Sequence, residues 1–118
     1  MVLITNLTRD TVLADRGQVA DRLPRRLLGL LTRASLASGE ALLFPRCNSI
    51  HTCFMRFPID VIFVRHNCVV KVVPALGPFR LAWAGEADTV IELPAGTAAQ
   101  TATESGARLH WSVAEVEK

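Results

Sequence analysis

Two runs rich in branched and aromatic residues, VIFV at 61–64 and CVVKVVP at 68–74, are separated by the polar residues Arg65, His66 and Asn67. β-Branched side chains lose rotamer freedom in a helix and pack well on a pleated surface. Two such runs across a short turn form an antiparallel hairpin, so any fold for this chain must grow a sheet from it. Further strands follow from the same reading: VLITN (2–6), TVLADRGQVA (11–20, bent or split at Asp15-Arg16-Gly17), ALLF (41–44), TVIEL (89–93) and RLHWSVAEV (108–116). One main helix is expected from Asp21 to about Arg33. Asp21 can cap it, Pro24 suits its first turn, and Leu23, Leu27, Leu30 and Leu31 recur at helical spacing. Residues 98–105 suggest a second, short helix, and residues 75–86, with two Gly and one Pro, read as an exposed loop. The expected fold is mainly β (α+β): a compact, mostly antiparallel β barrel or sandwich with one main helix packed against it.

At 118 residues this reads as a single domain, spanning 1–118. No apolar run approaches the roughly 18 residues that a membrane span requires. The start, MVLITNLTRDTV, lacks the basic and apolar regions of a signal peptide, so a cytoplasmic location without membrane attachment is expected. The net charge of +2 is distributed unevenly. Arg9, Arg16, Arg22, Arg25, Arg26 and Arg33 fall early, but Asp10, Asp15 and Asp21 are interspersed with them, as on a solvated face. Nucleic acid is therefore not an expected partner. Three cysteines are an odd number and argue against a disulfide framework.

Chemistry is sought in HTCFMRFPIDVIFV, residues 51–64, where His51, Thr52, Arg56 and Asp60 stand in an apolar run. Cys47, His51 and Cys53 do not follow a zinc-ligand spacing, and neither a metal nor a cofactor is expected. His51 and Cys53 would lie on one strand face about 7 Å apart, too far for a thiolate–imidazole hydrogen bond. Nothing in the surrounding sequence would activate the thiol. Arg56 and Asp60 are the informative pair. Extended, they would be roughly 13 Å apart. Pro58 can turn the chain between them and bring them together. The expected outcome is an ion pair pinning that turn, the alternative a small polar pocket shared with His51 and Thr52. Glu92, alone in VIELP, is either a further member of that pocket or a solvent-facing residue.

These blocks, RLLGLL (26–31), ALLF (41–44), HTCFMRFPIDVIFV (51–64), VVKVVP (69–74) and VIELPAG (90–96) with Gly106, resemble the domain of unknown function 192 family over about residues 26–111. The resemblance implies a compact β-rich domain and no particular reaction. It draws attention to Met55, Arg56, Asp60, Glu92 and Gly96 as motif positions. Many relatives carry Lys-Asn-Thr where this chain has Arg56-Phe57-Pro58, and Ala107 stands where an acidic residue is usual. The expected function is a ligand- or protein-binding module with a polar site near the RFPID turn, formed by His51, Thr52, Met55, Arg56, Asp60 and Glu92. Its partner would be a small molecule or a protein. The alternative is a hydrolase-like enzyme with Asp60 or Glu92 as general base and Arg56 stabilising an anion.

Overall fold

The computed structural model describes residues 1–20, 36–52 and 55–113. These form β1 (Val2–Asn6), β2 (Thr11–Val19), β3 (Glu40–Pro45), β4 (Ser49–His51), β5 (Ile59–Arg65), β6 (Cys68–Leu76), β7 (Leu81–Trp83), β8 (Thr89–Pro94), the short helix α1 (Thr97–Gln100) and β9 (Leu109–Val113). The helix expected over 21–33 lies outside the described residues. The hairpin read from sequence is present. Arg65 pairs with Cys68 across His66 and Asn67, whose φ values of 50° and 64° are those of a type I′ turn.

Seven strands form one sheet in the order β6-β5-β8-β3-β2-β1-β9. Every described pairing is antiparallel except β2 with β3, which are parallel. The sheet curls until its outer strands meet. Val69 donates to the Ala107 carbonyl at 2.8 Å, Gly106 to that of Val69 at 2.7 Å and Leu109 to that of Asn67 at 2.8 Å. An antiparallel bridge between Cys68 and Arg108 completes this seam. The barrel-like half of the expectation is the one the fold realises.

Two apolar clusters follow from strand alternation. Ile4, Leu43, Ile62, Ile91, Leu93 and Leu109 belong to the first, which draws on all seven strands and fills the concave side. The convex side of β3, β5 and β8 carries Phe44, Val61, Phe63 and Val90, covered by Ile50 and Ala82 from a two-stranded ribbon of β4 and β7. β5 is buried from Ile59 to Val64 because both of its faces are covered, which explains its unbroken apolar run.

Local expectations are corrected in two regions, 75–86 and 98–105. Residues 75–86 are not one loop: β6 runs on to Leu76, and β7 occupies 81–83. Residues 49–51 form a strand. Helix in the 98–105 region is confined to α1, followed by turns. TVLADRGQV, 11–19, is a single strand whose register against β1 shifts twice. Gly17 permits that kink, since a Cβ there would stand 3.0 Å from the Val2 carbonyl oxygen.

Candidate functional site

Asp60 is the second residue of β5 and is 1% exposed. Opposite it β6 makes a bulge: Ile59 pairs with Leu76 but Val61 with Val73, leaving Pro74 and Ala75 against one residue. The bulge turns the Ala75 N–H out of the ladder, with φ at 49°, and it donates to Asp60 Oδ1 at 2.8 Å. Oδ2 accepts two further N–H groups, from Gly96 at 3.1 Å and Ala98 at 2.8 Å. Gly96 stands at φ 97° immediately before α1, a conformation glycine adopts without a steric penalty. Burying a carboxylate is costly unless hydrogen bonds replace its water, and three backbone donors do so here.

The same carboxylate therefore ties β6 to the start of α1, and between these two elements lies a groove of about 630 Å³. Val72 and Pro74 form one wall, Ala98, Ala99 and Ala102 the other, and Glu104 stands at the rim. Alanines on the helix side leave the space unfilled. The far end of that wall is anchored separately. Buried Asn6 donates to Thr103 Oγ1 at 3.0 Å, the Thr101 and Thr103 hydroxyls are 2.8 Å apart, and Thr11 Oγ1 donates to the Thr101 carbonyl at 2.8 Å. Ala102, between the two threonines, is held at φ 54°. Such left-handed alanines cost about 1–2 kcal/mol each and persist only where neighbours impose them.

The residues singled out from sequence do not converge. Arg56 is exposed, and among the described residues it makes no ion pair with Asp60, whose oxygens are taken by backbone donors; the expected pair is not formed. Glu92 is not solvent-facing but 3% exposed, between Val61 on β5 and Leu42 on β3. It shares the convex-side cluster with them, whereas Asp60 lies opposite Leu93 of the concave cluster, so the sheet separates the two carboxylates. Glu92 Oε1 has no hydrogen-bond partner among the described residues, and burial pushes its carboxyl up from 4.5 to about 7. Met55 is buried in the convex-side cluster. His51 is exposed on β4 opposite Leu81.

Thr52 is fully buried and acts as a clamp. Its hydroxyl donates to the Gly77 carbonyl at 2.6 Å and accepts from the Arg80 N–H at 2.8 Å, while its own carbonyl accepts from Phe79 at 3.0 Å. Asn6, Thr101 and Thr103 were not candidates by sequence because Asn6 ends a strand and the threonines read as helix surface. Among the described residues no three His, Cys, Asp or Glu side chains gather as a metal site would require.

The DUF192 family model, described as "Uncharacterized ACR", matches residues 5–111. A UPF0127 protein of Thermococcus sibiricus is 30% identical, covering 96% of this chain and 77% of the relative. A UPF0127 protein of Pyrococcus furiosus is 32% identical, covering 91% and 96%. Among solved structures, a protein of unknown function from Novosphingobium aromaticivorans aligns with a TM-score of 0.73 at 24% identity, over 93% of this chain and 83% of its own. A proposed transcription regulator from Sinorhizobium meliloti aligns with a TM-score of 0.76 at 21% identity, over 93% and 91%. At these identities the two structures speak to the fold alone.

Proposed function

The chain belongs to the DUF192 family, and from that premise we propose that it is a binding module whose ligand lies in the groove between β6 and α1. One observation carries this reading: a single buried carboxylate, Asp60, holds both walls of the groove through three backbone N–H groups. A groove of this volume is within the range of small-ligand sites, and its mostly apolar walls with one acidic rim residue suit an apolar body bearing an amine or hydroxyl. Asp60 is then a positioning residue. Three of the roughly four lone-pair sites on its carboxylate are taken, which leaves little capacity for a general base. Glu92, on the other side of the sheet, does not reach the groove and Arg56 does not line it, so this reading does not favour the hydrolase-like alternative of Asp60 or Glu92 acting with Arg56.

The test is an NMR titration of isotope-labelled protein with a set of small aliphatic amines and alcohols. Binding shifts are expected to converge on the amides of Val72, Ala98, Ala99 and Ala102. An Ala99→Trp variant, which fills the groove from an exposed position, is expected to lose them while keeping the dispersed spectrum of the fold. Hits scattered over other surfaces, or hits that survive Ala99→Trp, would sink the proposal.

A further inference from the structure

The β4–β7 ribbon displays large apolar side chains to solvent, independently of the groove. Leu81 is 63% exposed and Trp83 58%, two positions apart on β7, and Phe79, in the bend before the strand at φ 59°, is 70% exposed. Side chains spaced by two share a strand face, while Ala82 between them faces the convex-side cluster. The row is one strand wide, because its partners on β4 are polar: Ser49 lies opposite Trp83 and His51 opposite Leu81. It is held rigidly by the Thr52 clamp at one end and by Lys71 at the other, whose Nζ donates to the Trp83 carbonyl at 2.9 Å.

The charge along the segment that carries the row is mostly of one sign. Between residues 41 and 85 the chain carries Arg46, Arg56, Arg65, Lys71 and Arg80, all exposed, and a single acid, Asp60, which is buried with both oxygens bound by backbone N–H groups. Lys71 Nζ stands 5.8 Å from the Trp83 ring centroid, and exposed Arg80 directly precedes Leu81. The nearest acid along the chain beyond Trp83 is Glu86.

We infer that the outer face of β7 docks an acidic, extended protein segment, its apolar side chains against Leu81 and Trp83 and its carboxylates against Lys71 and Arg80. A strand presents side chains to one face at the same period of two, which matches the row. A second copy of this chain would bring cations against cations. A lipid surface would meet a row only one strand wide, flanked by Ser49 and His51 rather than by a broad apolar face. Single-stranded nucleic acid stacks successive bases on aromatic planes, and of the two strand side chains only Trp83 offers one.

The experiment titrates isotope-labelled protein with a short peptide alternating Glu with Leu and Val, and with the same peptide carrying Gln for every Glu. The expected result is movement of the Leu81 and Trp83 amides and the Trp83 indole, about tenfold weaker for the Gln peptide and weakened by salt. Arg80→Gln and Leu81→Ser, both at exposed positions, are each expected to weaken binding without altering the remaining spectrum, and Lys71→Gln to weaken it with spectral changes confined to the ribbon. The inference is overturned if β7 does not respond, if both peptides bind equally, or if phosphatidylglycerol vesicles, oligothymidylate or rising protein concentration perturb β7 more than the acidic peptide does.

Discussion

Replacing Asp60 by Asn keeps the shape of the side chain and turns one acceptor oxygen into a donor. Either the Ala75 N–H or the pair from Gly96 and Ala98 then faces an N–H₂ group. Leaving such a buried donor without an acceptor is expected to lower stability by about 1–3 kcal/mol in chemical denaturation. Arg56→Gln, four residues away and exposed, is expected to stay within about 0.5 kcal/mol. The contrast separates a brace from an ion pair, in which both changes would be felt. The sequence shows that Asp60 is out of place in an apolar run, but not what satisfies it. Its donors come from Ala75, Gly96 and Ala98, as many as 38 positions away and on the main chain, where residue identity leaves almost no trace.

At the scale of elements, the hairpin of β5 and β6 is legible because both its strands and its turn are written locally. The ribbon of β4 and β7 is not. Each of its strands has three residues, and Ser49-Ile50-His51 and Leu81-Ala82-Trp83 carry too few positions for alternation to be recognised. What makes them strands is tertiary: burial of Ile50 and Ala82 on the main sheet and the hydroxyl of Thr52 fixing the connection from β6. Thr52→Val keeps the volume and removes that hydroxyl. It is expected to cost about 1–3 kcal/mol and to speed hydrogen exchange at Arg80, whose N–H loses its acceptor. Unchanged exchange at Arg80 would show that the connection holds without the clamp.

Across the whole molecule, one sheet covered on both faces accounts for the two carboxylates having separate roles. Asp60 faces inward, where main-chain donors meet it; Glu92 faces the convex cluster, where its Oε1 finds no donor among the described residues. The folded state binds the Glu92 proton more tightly than the unfolded chain, because its carboxyl is pushed up from 4.5 to about 7. Stability is therefore fullest below pH 4.5 with respect to this group and falls as pH rises to about 7, where the loss levels off near an order of 3 kcal/mol. Glu92→Gln is expected to flatten that limb of the profile, read as denaturation midpoints across the pH range; a variant profile parallel to the native one would remove Glu92 as the cause. Strand alternation places Val90 and Glu92 on one face, but only the ribbon's position makes that face an interior.

The central claim is that Asp60 couples the two walls of the groove, and amide hydrogen exchange in native and Asp60→Asn protein tests it most directly. Opening free energies at Ala75, Gly96 and Ala98 should fall together and by more than the global loss of stability, while those of Ile62 and Ile91 in the concave core fall only by the global amount. If all five amides fall in parallel, or if Ala75 loosens while Gly96 and Ala98 do not, the two walls are not held by one carboxylate.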